Sequence, residues 1–378
     1  MKDVIYLDYA AATPLDDRVL AAMQPYFQKQ FYNPSATYLA ARAVSSDVQA
    51  ARGVVAGCLG ARPSEVYFTA GGTEANNLAI HGALADYPNG NVVVSAIEHD
   101  SVLAPAALYE RRIVPVDAQG IVDLVALRDL IDDNTVLVSV MYANNEIGTI
   151  QPLRAVADIV SAKRKSRASQ TPLYFHSDAC QAAQYLDLQV HRLGLDMLTI
   201  NSGKLYGPKQ VGALFVRTGV SIKPQVLGGG QEVGLRSGTE NVAGIMGFST
   251  ALSLAQSMRH EEDRRLRELQ QHFIDGLQQH IPHATINGSQ TKRLPNNVHI
   301  TIPGVDNERL MMQLDEAGIM CAVGSACSAS NDEPSHVLMA IGLSVSEAQA
   351  SLRFTMGRST TLPDVKRTVE VLGSLLYL

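Results

Sequence analysis

Asp196-Met197-Leu198-Thr199-Ile200-Asn201-Ser202-Gly203-Lys204-Leu205-Tyr206-Gly207-Pro208-Lys209 reads as an apolar strand that runs into a turn of small residues, then a lysine, then Gly-Pro. A short apolar run bounded by turn residues is the pattern of a strand buried on both faces. Working outward, similar runs recur at Val66–Thr69, Asn91–Ser95, Arg112–Val116, Thr135–Met141, Leu173–His176 and Gly212–Arg217. With Asp196–Ile200 they make a seven-stranded set. Amphipathic stretches such as Asp123–Ile131 and Leu153–Lys165 lie between them. The alternation predicts an α/β domain with a mostly parallel sheet, whose chemistry sits at the carboxyl ends of the strands. The pattern changes after about residue 240. A long helical stretch, Gly244 to about His280, precedes a strand (Asn297–Ile302), a helix (Asn307–Ala317), a strand (Ser351–Thr355) and a last helix from Asp364. This predicts a large domain over residues 15–245. A smaller α+β domain takes residues 246–378 together with residues 1–14, which read as a returning arm.

Composition narrows the function. The chain has 378 residues, 46% of them hydrophobic, and a formal net charge of -6. That supports a large core and argues against a nucleic-acid partner. The densest charge run, Arg259 to Arg265, mixes signs and reads as the solvated face of a helix. No apolar stretch approaches the ~20 residues of a membrane helix, and the opening residues lack a signal-peptide core. The expectation is a cytoplasmic protein. Cys58, Cys180, Cys321 and Cys327 form neither a CxxC pair nor a zinc spacing, so no disulfide framework and no metal are expected.

Every polar cluster follows a strand. Thr69-Ala70-Gly71-Gly72-Thr73-Glu74 places two glycines before a helix, where free N–H groups and positive potential suit a phosphate. Glu98-His99-Asp100 offers an imidazole that can stack on a flat ring and carry protons. Asn144-Asn145-Glu146-Ile147-Gly148 offers amides for a ring hydroxyl or a carboxylate. His176-Ser177-Asp178-Ala179-Cys180-Gln181 offers a carboxylate that can keep a pyridine nitrogen protonated and an amide for the ring hydroxyl. Lys204 offers an amine for an imine. Each cluster alone is an ordinary turn, cap or surface charge. Together, in this order, they are the set that pyridoxal 5′-phosphate (PLP) requires.

The same residues resemble a known family. Gly72-Thr73-Glu74, Glu98-His99, Asn144 to Gly148, Asp178 to Gln181, Lys204 to Lys209 and Arg236-Ser237-Gly238-Thr239 are similar to the class V aminotransferases among the fold-type I PLP-dependent transferases. Tyr6 to Pro14, Asn33-Pro34-Ser35, Gly324-Ser325-Ala326-Cys327-Ser328 and Ser351-Leu352-Arg353-Phe354 narrow the resemblance to the group I cysteine desulfurases. The resemblance implies that Lys204 forms the imine with PLP, and that Gly72, Thr73, Asn201 and Ser202 hold the phosphate. Thr239 would complete that phosphate site from a second subunit. Asp178 would pair with the ring nitrogen, Gln181 with the ring hydroxyl, and His99 would stack on the ring. Arg353, Asn145 and Asn33 would grip the substrate carboxylate, and Cys327 would take the sulfur. It further implies L-cysteine as substrate, a homodimer and a sulfur-acceptor protein, an iron–sulfur scaffold or a sulfurtransferase. One departure stands out. The family usually has Ser-x-His-Lys where this chain has Asn201-Ser202-Gly203-Lys204, so a phosphate-holding histidine is replaced by glycine. Cys58 and Cys321 read as core packing, and Cys180 as a small buried residue.

The leading expectation is therefore a cysteine desulfurase that leaves a persulfide on Cys327. A selenocysteine lyase or aminotransferase would keep the cofactor without the persulfide. A degenerate PLP-fold binding protein is the reading from a different class, supported by the altered Asn-Ser-Gly-Lys turn.

Overall fold

A computed structural model of the protein describes residues 4–324 and 334–376. Its strands are β1 (Ile5–Tyr6), β2 (Val66–Thr69), β3 (Asn91–Ser95), β4 (Glu110–Val114), β5 (Thr135–Ser139), β6 (Tyr174–Asp178), β7 (Met197–Asn201), β8 (Gly212–Val216), β9 (Thr285–Ile286), β10 (Asn297–Thr301), β11 (Ile319–Met320) and β12 (Ser351–Thr355). The main sheet has seven strands in the order β2-β8-β7-β6-β5-β3-β4. From β4 to β7 neighbouring strands are parallel; β8 runs antiparallel to both β7 and β2.

The sequence explains this sheet. Strands β3, β5 and β8 are rich in Val, Leu and Phe and are buried at every residue, as expected where helices cover both faces. Helix Gly72–Leu84 packs against β5, β6, β7 and β8. Helix Leu153–Ser166 packs against β6. The edge differs from expectation. Strand β4 starts and ends two residues before the predicted Arg112–Val116, because its register runs from Asn91↔Glu110 to Ser95↔Val114. Val116 instead bridges Val122 beyond the sheet. An edge strand that exposes Glu110 and Arg111 carries a weaker apolar signal, so its ends are harder to read.

Beyond the sheet, one continuous helix spans Val242–His280, 39 residues or about 58 Å at 1.5 Å per residue. Asn241 caps it by accepting the Gly244 N–H. Near its start Phe248 meets Phe68, and near its end Gly276 faces Val369 of helix Leu362–Leu376. Strands β12, β10 and β9 form an antiparallel sheet. The first residues do return to this part of the chain: β1 pairs with β11, and Asp8 bridges Thr355. That arm places Asp8, Ala10 and Ala11 over the end of the main sheet. Among the described residues, no helix is long and apolar enough to cross a membrane.

Candidate active site

A cavity of about 210 Å³ opens where the strands of the main sheet end, and the arm and β12 close over it. Strand β7 and the turn after it supply Asn201 and Lys204. The Lys204 amine donates to Ala10 O at 2.8 Å and Ala11 O at 2.6 Å, so the returning arm fixes it in the cavity. Strand β6 ends at Asp178, which is 6% exposed. Its Oδ1 accepts the Cys180 N–H at 2.8 Å and its Oδ2 accepts from Asn76 Nδ2 at 2.7 Å. Two fixed donors hold the carboxylate in one orientation. Gln181, on the following turn, donates to Ala10 O at 2.9 Å and also lines the cavity.

His99 is the N-cap of helix Asp100–Ala106. Its Nδ1 accepts the Ser101 N–H at 3.0 Å and lies 2.8 Å from Ser101 Oγ. An Nδ1 that accepts a backbone N–H is unprotonated, so the neutral ring carries its proton on Nε2. Asn76 Nδ2 also reaches Ser101 Oγ at 2.8 Å. A chain of polar contacts thus joins His99 through Ser101 and Asn76 to Asp178.

The floor on the other side is built from glycine. Gly71 has φ 142°, a backbone that favours glycine. A Cβ on Gly72 would lie 2.7 Å from Cys180 Sγ and 3.4 Å from Asn201 Cβ. The bare backbone therefore leaves a cradle at the N-terminus of helix Gly72–Leu84, whose first N–H groups have no helical acceptor. Thr73 and Asn201 line this cradle. Asn201 Oδ1 is occupied by the Gly203 N–H at 3.2 Å, which leaves its amide NH₂ as the donor.

Arg353 of β12 stands across the cavity and is 2% exposed. Its guanidinium donates to Asp8 Oδ1 at 2.7 Å and Asn145 O at 3.2 Å, while Nε has no hydrogen-bond partner among the described residues. A buried guanidinium with a spare donor beside a cavity suits a carboxylate. Asn145 lines the same space. Its neighbour Asn144 does not: its side chain closes a turn on the Glu146 and Ile147 N–H groups and donates to Ile97 O.

The chain and its sheet resemble known proteins along almost their whole length. A family model described as aminotransferase class-V matches residues 5–368. The chain belongs to the class-V aminotransferase family. A protein of Dictyoglomus turgidum named cysteine desulfurase IscS is 41% identical, over 100% of this chain and 95% of its own length. One of Archaeoglobus fulgidus named cysteine desulfurase IscS 1 is 42% identical, over 98% of this chain and 96% of its own. A solved NifS-like protein superposes with a TM-score of 0.91 at 31% identity, covering 99% of both chains.

Within this class-V site, Gly72, Thr73, His99, Asn145, Asp178, Gln181, Asn201, Lys204 and Arg353 come together around one cavity. Three expected residues do not. Ser202 is fully buried, its hydroxyl without a partner among the described residues. A Cβ on Gly207 would sit 2.1 Å from that Oγ, so Ser202 faces the Gly-Pro turn and not the cradle. Asn33 is exposed, with Oδ1 accepting the Ser35 N–H at 2.9 Å. Thr239 is exposed and outside this chain's own cavity. Cys327 lies outside the described residues. Cys180, read as a small buried residue, also forms part of the cavity wall, and burial pushes its thiol well above the ordinary range. Cys321 is driven up to about 12, by burial first and then by Asp8.

Sequence reasoning missed Asp8, Asn76 and Ser101. Asp8 lies inside a quoted motif and Asn76 two residues beyond one, but their partners are 345 and 102 residues away. No local spacing announces such contacts.

Proposed function

We propose that the chain is a PLP-dependent cysteine desulfurase, converting L-cysteine to L-alanine and passing sulfur through a persulfide on Cys327. The observation that carries the reading is the single cavity holding Lys204, Asp178, His99 and Arg353 in a chain full-length similar to proteins named cysteine desulfurase. The residues fit the cofactor. A glycine cradle at a helix N-terminus suits its phosphate, a fixed carboxylate suits its ring nitrogen, and an amide suits its ring hydroxyl. When bound, PLP supplies an electron sink for negative charge on the substrate carbon.

The chain's own groups then have distinct tasks. Lys204 tethers the cofactor and takes or returns the substrate α-proton. Asp178 keeps the ring nitrogen protonated. His99 covers the ring and holds a proton on Nε2. Arg353 binds the substrate carboxylate and fixes the thiol end. At Cys327 an S–S bond forms as the substrate C–S bond breaks. The electron pair left on carbon is protonated, which yields alanine.

The reading extends to a large domain over 15–245 and a smaller one over 1–14 and 246–378, in a homodimer with Thr239 acting in the partner's site. Supporting it, Phe27, Phe31, Leu39, Leu227 and Val233 are 60–91% exposed, large apolar side chains that a subunit interface would cover. The free thiols of Cys58, Cys180 and Cys321 agree with a cytoplasmic location. A separate acceptor protein would take the sulfur onward. The test is product analysis with L-cysteine, with and without a thiol. Alanine and sulfide in equal amounts support the reading; a keto acid in place of alanine contradicts it and favours an aminotransferase.

A further inference from the structure

A bound phosphate carries close to two negative charges and needs a cation nearby. The phosphate cradle opens on its solvent side into a hollow lined by Gly72, Thr73, Glu74, Asn201, Lys204 and Lys209, among others. Glu74 is an acid, already paired with Arg236 at 2.8 Å. Lys204 is committed to the imine under the reading above. Among the described side chains lining this hollow, Lys209 is the remaining cation.

The backbone around Lys209 is unusual. Tyr206 and Gln210 both have φ 60°, although neither is glycine. Such residues are strained and persist only where the surroundings hold them. Tyr206 is held. Its N–H donates to Thr13 Oγ1 at 2.8 Å, its hydroxyl accepts the Arg358 N–H at 2.7 Å, and the Arg358 guanidinium lies 4.1 Å from its ring centre. The turn thus carries Lys209 back toward the cradle. The Lys209 ammonium donates to Thr13 O at 3.1 Å, a contact that leaves protons to spare.

Gly203 explains the space. Its φ is not in the left-handed region, so the backbone does not require glycine there. A Cβ on Gly203 would find ordinary contact, with Lys209 Cγ nearest at 3.6 Å and Lys209 Cα at 3.9 Å. The direction of the missing side chain is shared by Lys209 and by Asn201 Oδ1 at 3.7 Å.

We infer that Lys209 is the cationic ligand of the cofactor phosphate in this chain, taking the place that Gly203 leaves open. The inference rests on the PLP reading and deepens it. Exchange of a charge-assisted contact for a neutral one predicts about tenfold weaker PLP binding in Lys209→Gln.

The experiment titrates resolved protein with PLP and, separately, with pyridoxal, which lacks the phosphate. Wild type, Lys209→Gln, Lys209→Arg and the double variant Lys209→Gln/Gly203→His are compared by absorbance. The expected result is weaker PLP uptake in Lys209→Gln, unchanged pyridoxal uptake, and recovery of PLP affinity in Lys209→Arg and in the double variant. Unchanged PLP affinity in Lys209→Gln overturns the inference. So does a parallel loss for PLP and pyridoxal, which marks a structural role. Wild type that takes up no PLP overturns the cofactor reading and this inference with it. Wild type that binds PLP beside an unaffected Lys209→Gln overturns the inference alone.

Discussion

Glu98 is fully buried, one residue before His99, with Oε1 accepting the Met141 N–H at 2.5 Å. Burial pushes its carboxyl well above the usual range, and the nearby charge of Asp178 adds to the effect. His176, between Ser139 and Thr199, is driven down to about 4 by burial. Burial therefore disfavours the charged form of both groups, which stand beside Asp178. A negative charge in dry surroundings is the condition for holding a pyridine nitrogen protonated. Asp178→Asn keeps the shape and removes the charge. Turnover should fall on the order of a hundredfold or more while PLP still binds; near-normal kcat would remove Asp178 from this role. Glu98 gives a pH test. Its folded pKa is raised, so its contribution to stability is full below the unfolded carboxylate pKa and is lost as pH rises through the folded value. Glu98→Gln mimics the neutral acid and escapes that loss. The stability of Glu98→Gln minus wild type should grow with pH above about 5, by up to roughly 1.4 kcal/mol per unit. Urea unfolding at pH 5.5 and pH 8 measures it, and a constant or shrinking difference would show that Glu98 is ionised in the fold.

The segment from Gly228 to Thr239 is held to the main sheet by one buried acid. Glu232, nearly buried, accepts both Arg52 guanidinium nitrogens at 2.6 and 2.7 Å and the Phe68 N–H at 2.9 Å. Anchored there, Val233 is 91% exposed with φ 56°, an unfavourable backbone for a β-branched residue. Glu232→Gln would leave the buried Arg52 charge uncompensated. It should cost about 3 kcal/mol or more of unfolding free energy, read from urea midpoints. A cost below about 1 kcal/mol would mean that the pair does not anchor the segment. The sequence motif Arg236-Ser237-Gly238-Thr239 marked this region, but nothing local announced Glu232, whose partner Arg52 is 180 residues away. The same division holds elsewhere. Strands β2 and β3 are legible to the residue as short apolar, β-branched runs, and β12 as an alternating Ser-Leu-Arg-Phe-Thr. Lys204, Asp178 and His99 are legible because chemistry collects where strands end. Ser202 is not, because one residue along a tight turn decides whether a hydroxyl faces the cradle or Gly207. Asp8 is not, because its position depends on β1 finding β11.

At the scale of the molecule, the chain brings its two ends together on one side of a cavity and the main sheet to the other. The sheet supplies Lys204, Asp178 and the phosphate cradle; β12 and the arm supply Arg353 and its partner Asp8. Under the proposed function, substrate binding and cofactor binding are separable. Arg353→Ala should raise KM for L-cysteine by roughly 10²-fold while PLP uptake stays intact, as expected for loss of a bidentate, charge-assisted contact. An unchanged KM would place the substrate carboxylate elsewhere. Under the proposed homodimer, Val233, 91% exposed on a strained backbone, is a candidate interface residue. Val233→Asp should shift the protein toward monomer in light scattering at micromolar concentration and lower activity in parallel. A variant that stays dimeric and active would move the interface away from this segment. The catalytic roles given to Asp178, His99 and Arg353 depend on Lys204 carrying the cofactor. Borohydride reduction of the loaded protein followed by peptide mass mapping tests this most directly. The pyridoxyl mass is expected on Lys204 and should be lost in Lys204→Ala; the same mass on Lys209, or on any other lysine, would contradict this assignment.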